Sequence, residues 1–305
     1  MIEVKKLVKH YGDVQAVNNI DFTINDGEIV GFLGANGAGK STALKILTGY
    51  IAPTSGDVFI NGLDINNQSI EIRKLIGYLP ESNPLYLDMS VFELLKFIAN
   101  IRGINGNNFK NASDKVIEQC GLRGVVHKKI GACSKGYKQR VGLASAMIHN
   151  PKILILDEPV TGLDPNQIIE VRELIKNLGK EKLVLMSSHI LQEIEATVDR
   201  IMIIDHGQIV ADGTTKKLMS KFMGNVKLTL EIVGLTDAKI KSFKEAFIKT
   251  RFVKSKNGHF LNLEYKKKDD PRKDIFDFLV KNKLSLLEMS TQTANLEDIF
   301  RKLTK

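Results

Sequence analysis

The residues whose types and spacing could do chemistry lie in a few short stretches. The first, Gly34-Ala35-Asn36-Gly37-Ala38-Gly39-Lys40-Ser41-Thr42, fits the pattern G-x-x-x-x-G-K-[ST]. An apolar run, Ile29 to Leu33, precedes it as a buried strand would, and a helical pattern with Ala43, Leu44, Ile46 and Leu47 follows. That order suits a phosphate-binding loop. Glycines without Cβ let backbone N–H groups turn inward around phosphates, and the new helix aims its positive end at the same place. Lys40 would neutralise the β and γ phosphates, and the Ser41 hydroxyl would hold Mg²⁺. An ordinary Gly-rich turn is the plainer alternative, but it does not call for strand, loop and helix in this sequence.

The second stretch is Ile153-Leu154-Ile155-Leu156-Asp157-Glu158-Pro159, four apolar residues closed by two carboxylates. It reads as a central parallel strand with its acids at the carboxyl end, where open α/β sheets place ligands. Asp157 would hold Mg²⁺, through water, and Glu158 would orient or deprotonate the attacking water. A further buried run, Leu183 to Ser188, delivers His189 to the same edge, 31 residues past Glu158 and so about one crossover helix and a strand later. Lone histidines are usually structural. Ile76 to Leu79 reads as a strand ending at Pro80, with Glu81 just beyond its end. Ser134, within Cys133-Ser134-Lys135-Gly136-Tyr137, is placed as the N-cap of a small-residue helix. Near the N-terminus, Tyr11 beside Gly12 could stack on a purine with Val17 beneath its ring.

The elements that must position these residues follow from periodicity. Residues 2–8 and 17–24 read as strands, and Asp26-Gly27 turns the chain into the phosphate-loop strand. A strand from Gly56 closes on an Asn61-Gly62 turn. Ser90-Val91-Phe92-Glu93 is a capping box opening a helix over Phe92, Leu94, Leu95 and Ile98, so residues 85–150 are expected to form a mostly helical insert. Asp164-Pro165 starts a helix through Ile175, and Ile201–Ile204 with Gln208–Ala211 pair through His206-Gly207.

Composition limits the classes available. With 305 residues, 43% of them hydrophobic, the chain has material for two domains and no mark of disorder. The longest charge-free stretches are about half the roughly 20 residues of a membrane span. No apolar signal core follows Met1, and Cys120 and Cys133 form no disulfide or metal pattern, which suits a reducing cytoplasm. The net charge of +9 includes Lys-rich patches at 128–129 and 266–268. Anionic lipid or nucleic acid would account for it, as would a solvated basic face.

Taken together, residues 1–220 resemble the ATP-binding subunit of an ABC transporter, of the exporter type related to gliding-motility and multidrug exporters. In that resemblance Tyr11 is the adenine-stacking aromatic, Gly34 to Thr42 the Walker A loop and Ile153 to Glu158 the Walker B strand with its catalytic glutamate. Gly162 to Pro165 resembles the D-loop, and His189 the switch histidine. Cys133 to Arg140 resembles the family signature, usually L-S-G-G-Q, with Ser134, Lys135 and Gly136 facing a γ-phosphate. Glu81 stands where the family usually has Gln. The fold implied is α/β, a P-loop NTPase with a helical subdomain at about 85–150. The resemblance further implies ATP and Mg²⁺ as ligands, and a head-to-tail pair of copies that shares its nucleotides. A separate membrane-spanning subunit would be the partner, at the cytoplasmic face of the inner membrane. A soluble ABC ATPase acting on ribosomes or nucleic acid is the alternative, but a single phosphate loop and a compact insert do not favour it. A phosphotransferase would instead pass phosphate to an acceptor other than water.

Residues 225–305 carry no motif. Alternation at Val226 to Ile232, a helical face of Ile240, Phe243 and Phe247, and strands about an Asn257-Gly258 turn come first. A helix capped by Asp270-Pro271, a strand over Leu284 to Leu287 and a last helix over Leu296 to Leu303 complete the series. Strand, helix, two strands, helix, strand predicts a split βαβ accessory α+β domain.

Overall fold

The computed structural model describes residues 1–222, 226–247, 250–254, 258–265, 269–292 and 296–304. The chain forms two compact units, Met1–Thr215 with Leu303–Lys305, and Lys216–Lys302.

The first unit opens with β1 (Ile2–Tyr11), β2 (Val14–Ile24) and β3 (Ile29–Leu33), then α1 (Lys40–Leu47). β4 (Ser55–Ile60) turns at Asn61-Gly62 into β5 (Leu63–Asp64). Both turn residues have positive φ, 49° and 79°, as the predicted two-residue hairpin requires. α2 (Ser69–Leu75) and β6 (Ile76–Leu79) lead to the helices α3 (Val91–Ile101), α4 (Gly106–Gln119) and α5 (Lys135–Met147). Then come β7 (Ile153–Asp157), α6 (Pro165–Gly179), β8 (Leu183–Ser188), α7 (Leu191–Glu195), β9 (Arg200–Asp205) and β10 (Gln208–Gly213), after which α8 (Thr215–Phe222) leads into the second unit.

Six of these strands make one sheet in the order β10-β9-β3-β8-β7-β6, parallel except for the β9–β10 hairpin. β3, β7 and β8 are buried at every residue, which is why their sequences are unbroken apolar runs with no alternation. β2-β1-β4-β5 form a smaller antiparallel sheet, and its inward residues Ile2, Val4, Phe22 and Ile24 join the core with Phe32 and Leu44. The first two strands are longer than the alternation predicted, because the hairpin continues to Tyr11↔Val14 through several register shifts.

The capping box at the start of α3 is formed in full: Glu93 N–H donates to Ser90 Oγ, and Ser90 N–H donates to the Glu93 carboxylate at 2.8 Å. The same contacts hold the Glu93 carboxyl below its usual range, first through the Ser90 backbone N–H.

The second unit comprises β11 (Val226–Val233), α9 (Asp237–Ala246), β12 (Arg251–Lys254), β13 (His259–Tyr265), α10 (Arg272–Lys281), β14 (Ser285–Gln292) and α11 (Leu296–Leu303). Its antiparallel sheet runs β12-β13-β11-β14. Alternation along β11 sends Leu228, Leu230 and Ile232 to one face, where Phe243 of α9 and Ile275 and Leu279 of α10 cover them. The α10 cap falls at Pro271, one residue later than expected, while Asp270 Oδ1 accepts from Arg272 N–H at 3.1 Å. The expected turn at Asn257-Gly258 has its first residue outside the described residues.

Candidate functional site

The parallel strands of the large sheet end together, so the loops that follow β3, β7 and β8 emerge side by side. The β3–α1 loop has the backbone a phosphate cradle needs. Gly37 and Gly39 have φ of 82° and 106°, in the left-handed region that favours glycine, and a Cβ at Gly39 would lie 2.3 Å from the carbonyl oxygen of Ala16. Asn36 and Gly37 are exposed, Ala38 and Gly39 are buried, and Ser41 and Thr42 are half-buried at the start of α1.

Lys40 is 5% exposed. Its ammonium donates to the carbonyls of Gly34 at 2.8 Å and Ala35 at 3.2 Å and stands 3.6 Å from Glu158 Oε1. A buried cation held mainly by carbonyl oxygens of its own loop can exchange those contacts for phosphate oxygens at small cost. Ser41 Oγ lies 3.1 Å from Asp157 Oδ1, so the loop hydroxyl and the carboxylate at the end of β7 share one point. Hydroxyl and carboxylate oxygens, with room for water, are the donor set a hard cation such as Mg²⁺ takes. Among the described residues no group of three His, Cys, Asp or Glu side chains offers an alternative metal centre.

Glu158 is 5% exposed and stands at the centre of a polar cluster. His189 Nδ1 lies 3.0 Å from its Oε2, and Thr161 Oγ1 donates to the same oxygen at 2.9 Å. Its own backbone is in the left-handed region, φ 50°, a strained setting for a residue with Cβ. Ser187, wholly buried, secures that geometry: its Oγ accepts the Glu158 N–H at 3.0 Å and donates to Asp157 Oδ1 at 2.6 Å. One residue on, Ser188 Oγ donates to buried Glu193 at 2.6 Å and accepts the Ile190 N–H, which pins the loop on both sides of His189. Burial raises the Glu193 carboxyl above its usual range.

The structure therefore brings together Lys40, Ser41, Asp157, Glu158 and His189. Ser187, Thr161 and Glu193 belong to the same cluster and were not singled out from sequence. The Ser187-Ser188 pair before His189 was the only available signal, and serine at a strand end has many uses.

Other predicted residues are placed differently. Tyr11 is half-exposed at the end of β1 with the Lys9 ammonium 5.3 Å from its ring. Val17 is fully buried in the same core cluster as Ala38 of the phosphate loop, and the carbonyl of its neighbour Ala16 approaches Gly39 of that loop. The cause is the hairpin register, Lys9↔Val17, which turns the side chain inward. Glu81 is exposed beyond β6, with no hydrogen bond or ion pair to Ser41, Asp157 or Glu158 among the described residues.

Ser134 caps α5, accepting Tyr137 N–H at 3.4 Å, and Ser134 and Lys135 are exposed. At Gly136 a Cβ would lie 2.4 Å from the amide end of the Gln167 side chain of α6, a flexible group that can swing aside. Asp164, with Pro165 behind it, caps that helix and accepts Gln167 N–H at 3.0 Å.

A groove of about 370 Å³ lies away from the phosphate loop, lined by the end of α1, β6 and the helical segment. Tyr50, Arg73, Tyr86 and Arg102 stand at it, and Tyr50 and Tyr86 are largely exposed. Within it the Tyr78 hydroxyl and Ser145 Oγ are buried with no hydrogen-bond partner, and burial raises the Tyr78 phenol well above its usual range.

Comparison with known proteins agrees with this geometry. The sequence profile of the ABC transporter family matches residues 17–161. The chain is 34% identical, over 99% of both chains, to the uncharacterized ABC transporter ATP-binding protein YxlF of Bacillus subtilis. It is 31% identical to the linearmycin resistance ATP-binding protein LnrL of the same organism, over 100% of this chain and 98% of that one. The fold is similar to the ATP-binding cassette MJ0796, solved as a post-hydrolysis dimer bound to ADP and Pi, with a TM-score of 0.64 and 26% identity, over 70% of this chain and 98% of that one.

Proposed function

The chain belongs to the ABC transporter family as an ATP-binding, ATP-hydrolysing subunit, and from that premise we propose that it powers export through a separate membrane-spanning subunit. The observation that carries the mechanism is the Lys40–Glu158–His189 cluster at the end of the parallel sheet.

In this reading the N–H groups of Asn36 to Ser41 and the Lys40 ammonium take the β and γ phosphates, displacing the carbonyl contacts of Lys40. Thr42 lies beside them on the first turn of α1, and Tyr11 stacks on the adenine. Ser41 and Asp157 hold Mg²⁺, which would supply charge neutralisation at the phosphates. Glu158 accepts the proton of the attacking water, and His189, fixed by the Ser188–Glu193 pair, holds the carboxylate in place and reaches the γ-phosphate. Two copies bind head to tail, so that Ser134, Lys135 and Gly136 at the start of α5 complete the partner copy's site; the dimeric state of the cassette MJ0796, bound to ADP and Pi, supports a pairing of copies. Glu81, two residues past β6, is left to water-mediated contact with Mg²⁺.

The membrane subunit docks on the groove between Tyr50 and Tyr86. Exposed aromatics beside two cations suit a partner segment that offers apolar and acceptor groups together. The protein would then sit at the cytoplasmic face of the membrane, and no described helix is long and apolar enough to cross it. LnrL, similar to this chain over almost its whole length, is a linearmycin resistance protein, which supports export of an antibiotic-like compound. The gliding-motility resemblance rests on loop residues alone and is the second choice.

Glu158→Gln tests the mechanism. ATP binding should persist while turnover falls by roughly 10² or more, the usual scale for a lost general base. Undiminished turnover would remove Glu158 from the reaction.

A further inference from the structure

The net charge of the chain is confined to one of its two units. Residues 216–302 hold 20 Lys and Arg against 11 Asp and Glu, a net +9, whereas the remaining residues hold 24 against 24. A unit of this size usually carries a net charge of about 2–8 in magnitude, and single-sign excess beyond that sets up a long-range field. No nucleotide motif lies in these residues, so the charge is not explained by the chemistry above.

The charge is also unevenly spread within the unit. On the sheet face that no helix of the unit's core covers, strand register places Lys227 and Arg251 with Glu231, Glu264 and Glu288, a net −1. Glu231 and Glu288 stand directly opposite each other across β11 and β14. That face repels polyphosphate, which disfavours a nucleic acid laid across the strands.

The helical side differs. α9 and α10 bury Phe243, Ile275 and Leu279 and turn Lys241, Lys273 and Lys281 to solvent, with Lys283 just after α10. None of these four lysines forms an ion pair among the described residues. Phe276 and Val280, one helical turn apart, are 53% and 62% exposed between them. Asp237, Glu245, Asp274 and Asp277 share the two helices, and each helix still nets +1. Phe276 and Val280 share α10 with Arg272, Lys273 and Lys281 as well as Asp274 and Asp277. Exposed apolar side chains on a helix with lysines, whose stems can lie along a surface while their ammonium groups reach up from it, suit the headgroup region of a bilayer.

We propose that the unit 216–302 binds the anionic phospholipid headgroups of the membrane, with Phe276 and Val280 entering the headgroup layer and the lysines meeting lipid phosphates. This rests on the family reading, which brings the chain to a membrane in the first place. Binding would hold the ATPase at the bilayer independently of its transmembrane partner.

The test uses the purified full-length chain and vesicles of phosphatidylcholine alone or mixed equally with phosphatidylglycerol, followed by co-sedimentation and an ATPase assay on the same preparation. Retention is expected on the anionic vesicles only, and it should vanish in molar salt, where the screening length is about 3 Å. The variant Lys241→Glu, Lys273→Glu, Lys281→Glu, Lys283→Glu should bind at least several hundredfold more weakly with unchanged ATP turnover, since each of the four basic residues near the surface contributes roughly fivefold. Phe276→Ser with Val280→Ser, at exposed positions that the fold tolerates, should weaken binding several-fold and serves if the charge variant fails to fold. No retention, equal retention on neutral vesicles, or tighter binding to double-stranded DNA than to anionic vesicles overturns the inference. Loss of ATP turnover in the unmodified chain would instead overturn the family mechanism, so the two failures are separable.

Discussion

Residues 1–215 and 216–302 each cover a sheet with helices, yet only the first gathers a buried polar cluster at one sheet edge. In the parallel sheet β3, β7 and β8 run the same way, so the residues after them, Gly34 to Ser41, Glu158 and His189, converge on one edge. The antiparallel sheet of the second unit sends successive strand ends to opposite edges, so its polar residues are dispersed over two ends and one open face. Strand direction therefore decides where chemistry can gather. The unit without convergence carries instead the whole excess of positive charge.

If the division is sound, breaking the core of the second unit should leave the first intact. Phe243 is fully buried and contacts the rings of Phe247, Phe252 and Phe278. Phe243→Ala should destabilise that unit by about 3–5 kcal/mol, the usual cost of emptying such a site, while ATP affinity of the remainder is kept. Two separated transitions on calorimetry would sharpen the comparison, and joint loss of both units would break it.

Acid should act on the first unit. His149 is pushed down to about 4 from 6.5, first by burial and then by the Arg102 charge, although the Ile76 carbonyl it contacts at 3.0 Å works the other way. A histidine whose folded pKa is depressed binds fewer protons folded than unfolded, so its contribution is present above about pH 6.5 and is lost as pH falls toward about 4. Allowing for its partial exposure, the loss is on the order of 1–2 kcal/mol. His149→Gln should flatten the acid limb of the stability profile, and an unchanged slope would count against the assignment.

The smallest effect expected is at Ser90. Ser90→Ala removes the cap of α3 and should cost about 1 kcal/mol in a thermal melt, with turnover of the isolated chain unaffected. A large fall in turnover would mean that the helical segment and the catalytic edge are not separable as described.

What could be read from the sequence follows the same physics. Strands buried on both faces announce themselves as unbroken apolar runs, and glycines with a lysine behind them announce a loop, so Lys40, Ser41, Asp157 and Glu158 were legible together. The capping box at Ser90 and the turn at Asn61-Gly62 were legible because both are local. The burial of Val17 was not legible, because loose alternation in β2 does not say which side faces the core, and the register shifts in the β1–β2 hairpin fix it only in three dimensions. Ser187, Thr161 and Glu193 were invisible because their hydrogen bonds join residues whose closeness depends on the strand order. α7 spans only Leu191–Glu195, too short for a period to show.

The central claim is that one chain carries half of a nucleotide site at Gly34 to Ser41 and, at Ser134 to Gly136, the half that completes a second copy. Sedimentation of the Glu158→Gln variant saturated with Mg²⁺ and ATP tests it most directly. A nucleotide-dependent dimer that Ser134→Arg abolishes is the predicted result, and a chain that stays monomeric at saturating ATP, even with its membrane subunit present, would contradict the account.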